Sequence, residues 1–195
     1  MRASQPRHRP RKRFGQHFLQ PAWATKVVLA IAPAPGDVFL EIGPGPGALT
    51  FPLAQSGSPI LAVEIDRDLV ADLARRVPPN VTVVGGDVLE TDVVPYLTGL
   101  GVPSAARQTD APRAPRFRVV GNLPYNLSTP ILFRLIELQQ RHELFADATI
   151  MLQREVADRL VAAPGCKAYG VLTVLLRLNA TVTRLLDLPP GAFRP

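Results

Sequence analysis

The feature that most constrains the fold is a regular alternation of short apolar segments with longer amphipathic ones between residues 37 and 162. The apolar segments predict five strands, at residues 37–42, 59–63, 81–85, 116–121 and 148–152. The other segments predict four helices, at residues 48–55, 67–77, 129–141 and 154–162, and residues 22–32 predict a fifth helix before the alternation begins. Because buried strands that alternate with helices build a parallel sheet covered on both faces, we expect an α/β fold.

Two segments fall outside this alternation. The first 13 residues hold six of the 22 basic residues and no acid, and the remaining 16 basic residues balance the 16 acids. This basic arm, residues 1–13, indicates contact with a polyanion such as RNA, DNA or an anionic membrane, or else a solvated, disordered tail. Residues 100–115, rich in Ala, Pro and Arg, are predicted to be a surface insertion. Residues 14–195, including this insertion, are predicted to form one domain.

Residue types exclude several other classes of protein. No apolar run reaches the ~18 residues that a membrane span needs, so we expect no membrane partner. Cys166 is the only cysteine, which rules out an internal disulfide and fits a reducing compartment, so we expect a cytoplasmic protein. The histidines are scattered and have no cysteine at metal-ligand spacing, so we expect no metal site.

A glycine-rich turn, Glu41-Ile-Gly-Pro-Gly-Pro-Gly47, follows the first predicted strand. Gly43 and Gly45 allow a sharp turn and let a ligand approach the amide groups at the start of the next helix. The spacing also fits the G-x-G-x-x-A dinucleotide fingerprint, and a tight turn without a ligand is compatible with it too.

Two acids at the ends of the next two strands favour a ligand over an empty turn. Glu64 can accept hydrogen bonds from both ribose hydroxyls of an adenosine cofactor. A nicotinamide cofactor and S-adenosylmethionine both contain this ribose. Asp87 can accept a hydrogen bond from the adenine amine, while Val88 packs on the ring. A nicotinamide fold has no general need of an acid at this second place, so the pair favours S-adenosylmethionine.

The most specific feature is the tetrapeptide that ends the fourth predicted strand, Asn122-Leu-Pro-Tyr125. An adenine amine is a poor nucleophile because its lone pair is delocalised into the ring. The side-chain oxygen of Asn122 and the carbonyl of Leu123 can accept hydrogen bonds from the amine and localise that lone pair. Pro124 stiffens the loop and offers no N–H, and Tyr125 supplies a face on which an extruded base can stack. In another setting the same residues are a turn that closes a strand.

Together these motifs resemble the ribosomal RNA adenine dimethyltransferase family, whose bacterial small-subunit members are linked to kasugamycin sensitivity. Further likeness lies in Arg11-Lys-Arg-Phe-Gly-Gln-His-Phe-Leu19, Gln153-Arg-Glu-Val156 and Lys167-Ala-Tyr-Gly170. The resemblance implies a Rossmann-like class I methyltransferase fold with a mostly parallel seven-stranded sheet and helices on both faces. It implies S-adenosylmethionine as methyl donor, no metal, and small-subunit ribosomal RNA or the immature small subunit as partner. We expect a monomer.

The resemblance also implies roles for individual residues. Cofactor-contacting positions fall on Gln16, His17, Leu19, Gly43, Glu64, Asp87 and Asn122. Position 17 departs from the family, which usually has Asn there, and the His17 imidazole can still donate to the methionine carboxylate. Phe193 matches an aromatic residue that sandwiches the target base opposite Tyr125. The family continues past the equivalent of Pro195 into a small helical domain, so we expect residues 14–195 to be a catalytic domain without it.

Several alternatives remain open. The erythromycin-resistance methylases, which act on large-subunit RNA, typically show Asn-Ile-Pro-Tyr and a serine in the glycine loop, so Leu123 and the Pro44-Gly45 pair fit the small-subunit branch better. A ribosome-assembly factor that acts by binding is a second hypothesis. A nicotinamide oxidoreductase is a third, which the acid at 87 and the tetrapeptide disfavour.

Overall fold

The computed structural model describes residues 17–100 and 117–194. Its strands are β1 (Phe18–Leu19), β2 (Phe39–Ile42), β3 (Ile60–Glu64), β4 (Val81–Gly85), β5 (Phe117–Asn122), β6 (Phe145–Met151) and β7 (Phe193–Arg194). Its α-helices are α1 (Pro21–Ile31), α2 (Thr50–Ala54), α3 (Arg67–Ala74), α4 (Val94–Gly99), α5 (Ser128–His142), α6 (Arg154–Val161) and α7 (Val171–Arg177). A single 3₁₀ turn, Pro190–Ala192, precedes β7.

Five strands form one parallel sheet in the order β4-β3-β2-β5-β6. Every residue of β2 and β3 is buried, which is why their sequences read as unbroken apolar runs apart from one glutamate in each. Strands buried on both faces require helices on both sides. The sheet therefore confirms the α/β fold class that the alternation predicts.

The two faces of the sheet carry separate apolar layers because successive side chains of a strand point to opposite sides. On one face Leu40 and Ile42 pack with residues of α4 and α5. On the other face Phe39 and Ile60 pack with residues of α1 and α2. A smaller cluster on the outer side of α5 joins that helix to α6 and α7.

The number of strands in the sheet differs from the seven that the resemblance implies. Among the described residues the main sheet has five strands, and β1 and β7 pair antiparallel as a separate two-residue ribbon. At its inner end the ribbon is bounded by Pro21, the first residue of α1, and by Pro189 and Pro190, which begin the turn before β7. Proline has no N–H to donate to a ladder.

Most predicted elements are present, with shifted ends. α4 and α7 were not predicted, because α4 has six residues with a proline in its first turn and α7 is a short apolar run without helical periodicity. β6 begins three residues before the predicted start at residue 148. The basic arm at residues 1–13 and residues 101–115 of the predicted insertion lie outside the described residues.

A half-buried guanidinium ties three elements together at the amino edge of the sheet. Arg118 of β5 pairs with Asp37 at 2.7 Å and with Asp147 of β6 at 3.0 Å, and it donates to the carbonyl of Ile31 at 2.8 Å. Burial lowers the pKa of the Arg118 guanidinium, whereas Asp147 and Asp37 raise it by more. The pKa of Arg118 is therefore raised overall. The network fixes the end of α1 against the sheet.

We expect Arg118→Ala to lower the free energy of unfolding by about 2–3 kcal/mol, because the substitution removes the charged partner of Asp37 and a donor to a helix-end carbonyl. Urea unfolding followed by circular dichroism measures the change. The control is Arg75→Ala, which removes an exposed i,i+3 pair with Asp72 and should cost less than about 0.5 kcal/mol. Equal losses in the two variants would contradict a structural role for the network.

Candidate active site

A pocket opens at the carboxyl edge of the sheet, where the strand order changes direction. β2 has β3 on one side and β5 on the other, so the loops that follow β2 and β5 lead away to opposite sides. Ligands of open α/β sheets bind in the crevice at such a switch point. The pocket is partly open to solvent, and its empty space of about 920 Å³ includes part of the solvent at its mouth.

The glycine loop after β2 forms one wall of the pocket. Gly43 and Gly45 have φ angles of +65° and +57°, which residues with a Cβ adopt rarely. A Cβ on Gly45 would also lie 3.2 Å from the ring of Phe18. The amide of Gly45 donates to Oε2 of Glu64 at 2.9 Å, so the loop is held against the end of β3.

Glu64 is buried at the end of β3 and holds both the loop and the next turn. Its Oε1 accepts a hydrogen bond from the amide of Asp66 at 2.9 Å. Burial raises the pKa of Glu64, and the amides of Asp66 and Gly45 offset part of that rise. A carboxylate has about four lone-pair sites. Two of them are used here, so Glu64 keeps acceptor capacity for hydroxyl donors of a ligand.

A second buried acid, Glu41, also lines the pocket from β2. It is 1% exposed, and its Oε2 makes no hydrogen bond within the described part of the chain. Burial raises the pKa of Glu41 to about 7; the nearby Thr50 lowers it in part, and the negative charge of Glu64 adds to the rise. A buried oxygen without a partner costs stability, and a donor or cation in the pocket would remove that cost.

The turn after β4 supplies the far wall of the pocket. Asp87 accepts a hydrogen bond from the amide of Leu89 at 2.9 Å through Oδ1, which fixes the orientation of its carboxylate. The other oxygen of Asp87 can accept from a ligand. Val88, next in the chain, is buried in the core cluster on that face of the sheet and also lines the pocket. This pairing of an acceptor and an apolar surface suits an adenine ring.

Asn122, the last residue of β5, has an oriented carboxamide. Its Nδ2 donates to the main-chain carbonyl of His17 at 2.6 Å. Since the nitrogen is used in that hydrogen bond, Oδ1 is the carboxamide atom that remains to accept from a ligand. The turn that follows is closed by the amide of Leu127, which donates to the carbonyl of Pro124 at 3.0 Å.

Eleven of the sequence-predicted residues line this one pocket: His17, Leu19, Gly43, Gly45, Glu64, Asp87, Val88, Asn122, Leu123, Pro124 and Tyr125. Gln16 lies outside the described residues. Phe193 is not brought to the pocket wall: it pairs with Leu19 in the ribbon, and its side chain packs against the core cluster beneath α1. The ring that faces Tyr125 is that of His17.

Sequence reasoning assigned no role to Glu41, Ile65, Leu127 or Ile131, which also line the pocket. For Glu41 a signal existed, because an acid inside the buried strand Phe-Leu-Glu-Ile needs a reason to be there. The three apolar residues gave no such signal, since core residues have the same composition. Within residues 17–100 and 117–194 no group of three or more His, Cys, Asp or Glu side chains is placed to hold a metal.

Solved structures with the same architecture define the class of protein. The chain is similar to a dimethyladenosine transferase from Plasmodium falciparum, with a TM-score of 0.69 and 26% identity over 91% of this chain and 58% of that one. It is also similar to the 23S rRNA methyltransferase ErmE, with a TM-score of 0.52 and 26% identity over 73% of this chain and 50% of that one. The fold is thus the Rossmann-like fold of S-adenosylmethionine-dependent methyltransferases.

Within that class, the chain belongs to the ribosomal RNA adenine dimethylase family, whose family model matches residues 7–195. Similar proteins named ribosomal RNA small subunit methyltransferase A come from Aromatoleum aromaticum, at 47% identity, and Laribacter hongkongensis, at 46%. The matches cover 96% and 97% of this chain. The chain spans 64% and 66% of the length of those two relatives.

Proposed function

We propose that residues 14–195 are the catalytic domain of an enzyme that dimethylates the N6 amines of two adjacent adenosines in small-subunit 16S ribosomal RNA during ribosome biogenesis. The observation that carries the proposal is the oriented Asn122 carboxamide beside Tyr125, at the edge of a pocket suited to an adenosine cofactor. Relatives named small subunit methyltransferase A, at 46–47% identity, favour small-subunit RNA over large-subunit RNA.

The pocket fits S-adenosylmethionine as the methyl donor. When bound, this molecule supplies a methyl group on a positively charged sulfonium, and it also carries an ammonium group. Glu64 and Asp87 each keep a free acceptor site for the adenosine part. The unpartnered Oε2 of Glu41 suits a cationic or hydrogen-bond-donating group. A pocket with three carboxylates therefore matches a ligand that brings positive charge and several donors.

The protein contributes mainly by positioning the adenine. Oδ1 of Asn122 and the carbonyl of Leu123 accept hydrogen bonds from the amine, which favours pyramidal geometry and localises the lone pair on nitrogen. Pro124 keeps this edge free of competing N–H donors, and Tyr125 stacks on the base. A bound S-adenosylmethionine would supply the methyl group to the nitrogen whose lone pair these acceptors localise, and the proton of the methylated amine would pass to solvent. Holding the reactants in line supplies most of the acceleration.

The partner we propose is the RNA of the immature small subunit, contacted in part by the basic arm at residues 1–13. We further propose a monomer that acts in the cytoplasm. In the described part of the chain no helix is both long and apolar enough to cross a membrane. Transfer of labelled methyl groups tests the function: small-subunit particles that lack the modification should yield labelled dimethyladenosine, and RNA that stays unlabelled would refute the proposal.

We expect Glu64→Gln to weaken the affinity for S-adenosylhomocysteine by about tenfold or more, because an amide nitrogen replaces one of two acceptor oxygens and cannot accept from the amide of Gly45. Isothermal titration calorimetry measures this affinity, and NAD serves as the competing ligand for the oxidoreductase alternative. Glu155→Gln, on the exposed side of α6, is the matched control. Tighter binding of NAD than of S-adenosylhomocysteine would reject the methyl-donor site.

A further inference from the structure

The glycine loop, residues 43–47, depends on contacts from other elements for its shape. Gly43, Gly45 and Gly47 all have positive φ angles, and glycine loses more conformational freedom on ordering than any other residue. Pro46 lines the pocket and has no N–H, so its carbonyl is its one main-chain hydrogen-bonding group. A partner for that carbonyl therefore helps to fix the loop.

Arg76, two residues beyond the end of α3, supplies that partner. Its Nη2 donates to the carbonyl of Pro46 at 3.0 Å and lies 2.7 Å from Oδ2 of Asp72. A terminal guanidinium nitrogen carries two N–H groups, so each acceptor can receive one of them. Asp72 thereby orients the guanidinium toward the loop. The Arg76 side chain is 31% exposed, whereas that of the neighbouring Arg75 is 71% exposed.

The same guanidinium also supports the end of the loop. Its Cζ lies over the ring of Phe51, 5.2 Å from the centroid, which is a cation–π contact. Phe51 in turn packs on Gly47, where an added Cβ would come within 2.5 Å of the ring. Arg76 thus holds the loop in two ways, through the Pro46 carbonyl and through the ring that lies against Gly47.

These contacts complement the one that Glu64 makes. Glu64 accepts from the amide of Gly45, and Arg76 donates to the carbonyl of the next residue, Pro46. An anion therefore holds a donor of the loop, and a cation holds an acceptor beside it. Glu64 lines the pocket, but Arg76 is not among the lining residues in the described part of the chain. Arg76 therefore acts on a ligand through the loop rather than by contact.

We propose that Arg76 is a positioning residue for the methyl donor, because it holds the glycine loop in the shape that binds S-adenosylmethionine. This inference rests on the proposed function and deepens it. Without the arginine the Pro46 carbonyl loses its partner, and the loop samples conformations that binding must exclude. Since the apparent affinity falls with the fraction of molecules in the binding-competent state, the methyl donor then binds more weakly.

Calorimetric titration of the 195-residue chain with S-adenosylhomocysteine tests this role. We expect Arg76→Ala to weaken the affinity by about five- to tenfold. Arg76→Lys keeps a cation that can donate to the carbonyl but loses the planar group over Phe51, so its affinity should stay within about threefold of the parent. Arg75→Ala is the matched control, because Arg75 pairs with the same Asp72 from a more exposed position, and it should leave the affinity unchanged.

Two further measurements separate positioning from a general loss of stability. Arg118→Ala weakens the fold at the amino edge of the sheet and should bind S-adenosylhomocysteine with the parent affinity. In Arg76→Ala the KM for S-adenosylmethionine should rise by about the factor found in the titration, while kcat and the KM for the RNA change by less than about twofold.

Parent-like affinity in Arg76→Ala would overturn the inference and leave the methylation proposal intact. An equal loss of affinity in Arg118→Ala, or an equal rise in both KM values of Arg76→Ala, would also overturn it, because either result is what a general loosening of the fold produces. If the parent chain does not bind S-adenosylhomocysteine, the proposed methyl-donor site and this inference both fail.

Discussion

Asn122→Ala is expected to reduce the rate of methyl transfer by at least about 10²–10³-fold, the usual effect of removing one preorganised hydrogen-bonding group from the reacting centre. The alanine cannot accept a hydrogen bond from the adenine amine, so the lone pair on nitrogen stays delocalised. Single-turnover transfer of labelled methyl groups to undermethylated small-subunit RNA measures the rate. We expect the fold to persist, because the lost bond to His17 costs only about 1–2 kcal/mol.

Two further variants define what Asn122 contributes. Asn122→Asp keeps an acceptor oxygen but replaces the nitrogen that donates to the His17 carbonyl with a second oxygen, so its rate should fall between those of the parent and the alanine variant. Asn179→Ala removes an exposed asparagine that follows α7 and bonds to Gln140 and Leu175, and it should leave the rate unchanged. An Asn122→Ala protein with parental activity would remove Asn122 from the mechanism.

Glu41→Gln is expected to change how the stability of the protein depends on pH. Burial raises the pKa of Glu41 from 4.5 to about 7. Below pH 4.5 both the folded and the unfolded chain are protonated at this side chain, so it contributes no penalty. Between pH 4.5 and pH 7 the folded protein keeps a proton that the unfolded chain releases, and stability falls as the pH rises. Above pH 7 the loss from this group is complete, at about 3 kcal/mol.

The measurement is the free energy of urea unfolding at pH 5 and at pH 8. The decrease between these two values should be smaller in Glu41→Gln than in the parent protein by about 2–3 kcal/mol, because glutamine does not titrate. Glu155→Gln, which alters an exposed side chain, should follow the parent protein. Parallel pH dependences in the parent and in Glu41→Gln would show that the buried carboxyl group is ionised at both pH values.

Local sequence patterns predicted most of the fold. The strand sequences Phe-Leu-Glu-Ile and Ile-Leu-Ala-Val-Glu are buried throughout, and an unbroken apolar run is the pattern that burial on both faces leaves in a sequence. Short elements were predicted less well. α4 and the β1–β7 ribbon have few residues, and their existence depends on contacts with distant parts of the chain rather than on periodicity.

The candidate site was predictable for a related reason. In a parallel sheet each strand delivers its carboxyl end to the same edge, so motifs that follow successive strands must gather there. Gly43, Glu64, Asp87 and Asn122 all follow this rule, and all of them line one pocket. Their types and order along the chain were therefore sufficient to predict that these residues meet at one edge of the sheet.

Contacts across the pocket could not be predicted in this way, because they depend on where segments that are far apart in the sequence lie in the fold. The carboxamide of Asn122 meets the backbone of a residue 105 positions earlier, and no local pattern predicts that contact. The same placement of β1 puts His17 on Tyr125 and leaves Phe193 half-buried against the core cluster beneath α1. Residue types and strand order were thus enough to predict the sheet, the glycine loop and the acids. Long-range packing determined which ring lies against Tyr125 and which atom of the Asn122 carboxamide is left to accept a hydrogen bond.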